Sequence, residues 1–119
     1  KNAAVLLVIL SKKTFYHNGK PCHTHSFDTG SAWMSLDLEG TSRGYVVHGM
    51  EGFDYDKAKD SLQIPDDYQV EAMAAIGKPA PKEKLPPELQ KREAPSPRRP
   101  IEQFIMSGRF EKKIEQAKQ

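Results

Sequence analysis

The chain has 119 residues, with 18 Lys or Arg against 16 Asp or Glu, and a formal net charge of +2 is too balanced for an electrostatic nucleic-acid binder. Its longest apolar run, residues 3–10, is far shorter than the ~20 residues that a helix needs to span a bilayer. A single cysteine, Cys22, excludes an internal disulfide and fits a reducing, cytoplasmic setting.

The chain starts at Lys1 and enters an apolar segment with no signal-like sequence ahead of it, so a preceding segment is expected. Residues 3–10 are too few for a helix and rich in branched side chains, which predicts a central strand over 3–11 covered on both faces. Asn18, Gly19 and Pro21 mark a loop. Ser26 to Thr29 offers capping side chains, and Trp33, Leu36 and Gly40 recur at helical spacing, predicting a helix over 28–43. Gly44 supplies a left-handed stop, and Tyr45, Val46 and Val47 resume strand composition over 44–49. Asp54 is a good N-cap for a short helix over 54–62 that Ile64 and Pro65 end. From Tyr68 to Gly77 the side chains alternate, with Tyr68, Val70, Ala72, Ala74 and Ile76 on one face and Gln69, Glu71, Met73 and Ala75 on the other. Residues 78–100 hold seven prolines and ten charged residues, so only a short helix near 87–93 is expected in an otherwise extended arm. Ile101, Phe104 and Ile105 are an apolar anchor that needs a surface, and residues 111–119 are a polar, helix-compatible tail.

Several groups could carry chemistry. His17, Cys22, His23 and His25 lie close in sequence, but their spacing matches no usual zinc pattern, and they read as loop residues. Nothing marks Cys22 as a nucleophile. Asp54, Asp56, Asp60, Asp66 and Asp67 sit where helix starts and turns want carboxylates. Trp33 reads as a core aromatic rather than a stacking platform. The segment Gly49, Met50, Glu51, Gly52 joins a strand to a helix start, and such a bend can turn backbone N–H groups toward a ligand. Arg98 and Arg99 could hold a phosphate through charge-assisted hydrogen bonds.

Taken together these segments resemble the nitroreductase family. Asn2 to Val8 is similar to its central-strand entry, and Ser26-Phe27-Asp28-Thr29-Gly30-Ser31-Ala32-Trp33 to the start of its next long helix. The run from Gly44 through His48, Gly49, Met50, Glu51 and Gly52 to Asp54 is similar to its strand and turn beside the flavin. Leu62-Gln63-Ile64-Pro65, Tyr68 and Ala75-Ile76-Gly77 follow in order. The resemblance covers residues 2 to 110 and implies the C-terminal part of the family's fold: α+β, a mixed β-sheet flanked by helices, incomplete here, with residues 1–77 as partial core and 78–119 as a C-terminal arm wrapping a partner subunit.

The resemblance also implies a flavin mononucleotide (FMN) at the interface of a homodimer. It would carry hydride from NAD(P)H to a small-molecule electron acceptor, nitroaromatic, quinone or similar. Cofactor-binding residues would be the backbone of Glu51 and Gly52 against the flavin ring, Gly49 and Met50 shaping that wall, and Arg98 with its neighbour Arg99 on the phosphate. No catalytic side chain is assigned. Two departures stand out. The family's N-terminal Arg-x-Ser-x-Arg type segment has no counterpart before Lys1, so these residues alone are expected to bind flavin poorly. Glu39-Gly40 replaces a common Gln-Ala, an expected loosening of packing. The alternative is a non-catalytic interaction module that keeps the dimerisation arm and has lost its cofactor.

Overall fold

The computed structural model describes residues 3–110, which divide between Ala80 and Pro81 into two compact units. The first holds β1 (Val5–Lys12), α1 (His25–Ser42), β2 (Val46–Met50), α2 (Tyr55–Ser61) and β3 (Tyr68–Gly77). The strands form one open sheet in the order β1-β3-β2, and both neighbouring pairs are antiparallel. β1 and β2 therefore run in the same direction, joined by the α1 crossover, with β3 inserted between them. The class is α+β, as expected. The sheet has no parallel neighbours among the described residues, because β3 enters between the two strands that the crossover leaves parallel.

The central position belongs to β3, and β1 lies at the edge of this sheet, against the expectation for residues 3–11. An apolar strand wants both faces covered. Val5 and Leu6 nevertheless remain 46% and 58% exposed, so the cover that the sequence of β1 calls for does not come from the described residues. The middle strand is the one with small side chains: Ala74, fully buried, faces Leu7 of β1 and Gly49 of β2.

Between β1 and β3 the register steps from Ile9 opposite Ala72 to Leu10 opposite Val70, so Glu71 is the extra residue of a β-bulge. Directly paired residues share a face. Ile9 and Ala72 point to the α1 side, and Ser11 with its partner Gln69 does too, because Ser11 follows Ile9 by two residues. The strict alternation expected for residues 68–77 is thus broken: Gln69, Glu71 and Ala72 all turn toward α1, where a regular strand would send both Gln69 and Glu71 to the side opposite Ala72.

α1 begins at His25 rather than Asp28, because Thr24 takes the N-cap position and its carbonyl accepts from the Asp28 amide at 2.9 Å. The helix lays His25, Thr29, Trp33, Asp37 and Gly40, a stripe at helical spacing, toward the sheet. Leu36, expected on that face, is 39% exposed. At Gly40 an added Cβ would overlap the Val47 Cγ2 methyl. Gly40 is therefore the place where α1 closes onto β2, and the expected loosening is replaced by close approach. Both helix ends close in the same way. At α1, Gly44 (φ +78°) follows the Arg43 cap, with Gly44 N–H on Thr41 O at 2.9 Å and Tyr45 N–H on Gly40 O at 3.0 Å. At α2, Gln63 (φ 51°) takes that left-handed position, with its N–H on Asp60 O at 3.2 Å and the Ile64 N–H on Lys59 O at 3.0 Å.

The second unit is built of single turns: 3-10 helix at Lys82–Lys84, α3 (Pro87–Gln90) and 3-10 helix at Ile101–Gln103. Prolines interrupt every longer element. Gln90 Nε2 donates to the Leu85 carbonyl at 2.8 Å and ties α3 to the turn before it. Ile101 and Phe104 of the expected anchor are more than half exposed, at 56% and 52%. The expected helical tail, residues 111–119, lies outside the described residues.

Candidate functional site

A cavity of ≈ 340 Å³ opens between the N-terminal half of α1 and the sheet. Ser26, Thr29, Gly30 and Trp33 line it from α1, Ile9 from β1, Glu71 and Ala72 from β3, and Gly49, Met50 and Glu51 from the end of β2. Each element contributes for a local reason. Trp33 reaches the sheet because Gly49 makes room: a Cβ there would lie 3.0 Å from the Trp33 Cζ2. Trp33 is thus both the packing residue expected from its spacing and a wall of the cavity. Glu71 arrives through the bulge.

The turn after β2 has two properties suited to a ligand. No hydrogen-bond partner for the Glu51 or Gly52 amide occurs among the described residues, whereas the Phe53 amide returns to Glu51 O at 2.7 Å. A Cβ at Gly52 would meet nothing within 4 Å, and Gly52 does not have the left-handed backbone of Gly19, Gly44 or Gly108. Unpaired donors beside open space are the elements of a backbone ligand cradle. Gly49, Met50 and Glu51 line the cavity itself, and Gly52 is the next residue along the turn. Arg98 and Arg99 belong to the second unit, where the Arg99 guanidinium carbon lies 5.8 Å from the centre of the Phe104 ring.

The wall opposite the turn holds a polar cluster. Ser11, 2% exposed, donates to Glu71 Oε1 at 2.5 Å, and its oxygen lies 2.8 Å from His25 Nδ1. A serine hydroxyl has one proton, so His25 must donate from Nδ1 here. Ser26 donates to the same Glu71 oxygen at 2.6 Å, and Gln69 Nε2 to Oε2 at 3.2 Å. Burial pushes the Glu71 carboxyl up, but the hydrogen bonds from Ser11, Ser26 and Gln69, with His25 nearby, outweigh it and hold the group below the usual glutamate range. This cluster was not legible from spacing: Ser11, His25, Ser26 and Glu71 are scattered along the chain, and the bulge that unites them leaves no composition signal.

The other titratable candidates are accounted for differently. Asp54 caps α2, accepting from the Lys57 amide at 2.9 Å. Asp66 pairs with Lys59 at 2.6 Å and Asp67 with Lys12 at 2.9 Å, and each lysine holds its partner's carboxyl below the ordinary range. Cys22 is buried, its Sγ 3.6 Å from Thr24 Oγ1, and His17 faces Asn18. Among the described residues no three His, Cys, Asp or Glu side chains gather as metal ligands would, and no helix is long and apolar enough to cross a membrane.

Solved structures share this architecture. One described as an oxidoreductase containing FMN superimposes with a TM-score of 0.85 at 43% identity, covering 94% of this chain and 58% of that one. A nitroreductase family protein from Clostridium novyi NT matches at a TM-score of 0.55 and 26% identity over 66% of this chain and 44% of its own. Another from Clostridium difficile 630, at 17% identity, shares the fold alone, with a TM-score of 0.64 over 92% of this chain and 62% of its own. No protein-family model matches the sequence, and neither does any curated protein. The fold is that of the nitroreductase-like oxidoreductases, of which this chain spans less than two thirds. The structural neighbours are thus nitroreductase family proteins and an FMN-containing oxidoreductase, in line with what the sequence resemblance implies.

Proposed function

We propose that this chain forms part of an FMN-dependent oxidoreductase that passes hydride from NAD(P)H to nitroaromatic, quinone or similar acceptors, acting as a homodimer in the cytoplasm. The observation that carries this reading is the turn after β2, where the Glu51 and Gly52 amides, without partners among the described residues, and the open space at Gly52 stand beside the cavity. The chain's 43% identity to an FMN-containing oxidoreductase adds to it. The residues fit the group. Bound flavin supplies the redox chemistry, and the protein supplies placement and electrostatics. The amides of Glu51 and Gly52 donate to electronegative ring atoms, and the missing side chain at Gly52 lets the ring come close. Arg98, with Arg99 as its neighbour, supplies charge-assisted hydrogen bonds to the phosphate.

The test is flavin titration of the full-length protein and its Arg98→Ala variant. A charge-assisted hydrogen bond contributes about 1.5–3 kcal/mol, so the substitution should weaken FMN binding about ten- to a hundredfold. A colourless, well-folded dimer that takes up no flavin would instead support the non-catalytic interaction module.

A further inference from the structure

On the reading above, we infer that Glu71 sets the charge selectivity of the cavity, which admits acceptors that are neutral or present a cation or N–H donor to this wall and rejects those that carry a carboxylate. Three observations lead there. The bulge turns Glu71 to the α1 side, where its carboxylate lines the cavity with its side chain 21% exposed. Its immediate polar neighbour in the cavity, Ser26, donates its hydroxyl proton to Glu71 itself and so offers a lone pair to a ligand. No Lys, Arg or His lines the cavity among the described residues; His25 lies outside the lining with its Nδ1 3.7 Å from Glu71 Oε1, and the other carboxylate of the lining, Glu51, is exposed to solvent and adds charge of the same sign.

The remaining wall favours the same class. Ile9, Met50 and Ala72 are apolar, and Trp33 supplies an indole of the kind that accompanies carboxylates in the recognition of cationic and N–H-bearing aromatics. An anionic ligand would have to be desolvated against a carboxylate already fixed by three side-chain donors. The sheltered setting weakens screening by solvent, so the repulsion acts at close range.

The experiment compares 4-nitrobenzoate with 4-nitrobenzamide, which share shape and differ in charge, in the full-length protein. Dissociation constants come from equilibrium dialysis and kcat/KM from turnover with NAD(P)H. The wild type should prefer the amide by about tenfold or more, and Glu71→Gln should bring the two ligands to within about threefold. Glutamine keeps the shape and can still accept from Ser11 and Ser26. Ser26→Ala, which keeps the Glu71 charge, should retain most of the preference. Equal affinities in the wild type, a ratio that Glu71→Gln does not move, or no binding of either compound overturns the inference. Loss of turnover with both compounds while the dialysis ratio behaves as expected would overturn the oxidoreductase reading and leave the charge selectivity of the cavity standing.

Discussion

Replacing Gly40 by alanine sets two effects of similar size against each other. Alanine favours the helix by about 1 kcal/mol, whereas forcing a methyl into a packed contact costs about 1–3 kcal/mol. The neighbour decides the sign: Val47 is β-branched and stiff, and its Cγ2 occupies the place of the new Cβ. Gly40→Ala should lower the thermal unfolding temperature, and Val47→Ala in the same chain should recover most of the loss. A single variant more stable than the wild type would contradict this packing. Gly52 presents the opposite case. With nothing within 4 Å of an added Cβ and no left-handed backbone, Gly52→Val should leave stability within about 0.5 kcal/mol while weakening flavin binding. Glu51→Gln should leave flavin binding unchanged, because the contact proposed for it is made by the backbone. Titrating both variants with FMN tests the pair, and unaltered affinity in Gly52→Val would remove the ring from this turn. Ser11→Ala withdraws a donor from Glu71 and an acceptor from His25, at a cost of about 1–3 kcal/mol. The Glu71 carboxyl ionises at lower pH in the fold than in the unfolded chain. Its contribution is therefore full above the ordinary glutamate range and fades as pH falls through the depressed native value. The Ser11→Ala deficit, measured by denaturant unfolding, should accordingly shrink in acid, and a deficit equal in neutral and acid solution would remove Glu71 from the explanation.

Among the elements, the sequence was most legible where a pattern met a stop signal. Gly44 ends α1 in the left-handed conformation as its residue type suggests, and Asp54 caps α2. The strand at Tyr68–Gly77 has its expected bounds, yet its facing was misread, because alternation assumes one residue per step and a bulge adds one without any change of composition. For β1 the composition was legible and the neighbourhood was not: an apolar strand reports that it will be covered, not by which segment. The end of α2 was equally hidden, since Gln63 takes the left-handed position where glycine is usual. A side chain there costs about 1 kcal/mol relative to glycine. Gln63→Gly should raise the unfolding temperature by a few degrees, and a lower value would mean that the Gln63 side chain makes up for its backbone.

For the whole molecule, the exposed apolar surface argues for a partner. Phe27, Met34 and Leu38 lie on one outward face of α1 at 75%, 51% and 63% exposure, and Ile101 and Phe104 are likewise uncovered in the second unit. Deleting residues 95–119 from the full-length protein should therefore weaken both dimerisation and flavin retention, and an unchanged dimer by light scattering would count against an arm that clasps a second subunit. The candidate site was legible in proportion to its local character: the turn after β2 could be read from Gly49 to Gly52, whereas the Ser11, His25 and Glu71 cluster depends on contacts between distant segments. The strand order also bears on how the molecule is made. β1 leaves the ribosome before β3, its neighbour among the described strands, and α1, β2 and α2 must emerge in between. During that interval the edge of β1 that β3 will cover is bare, a state in which newly made chains find one another. Recovery of active protein from denaturant should fall as the chain concentration rises, and it should be the nascent protein, more than the finished one, that depends on chaperones.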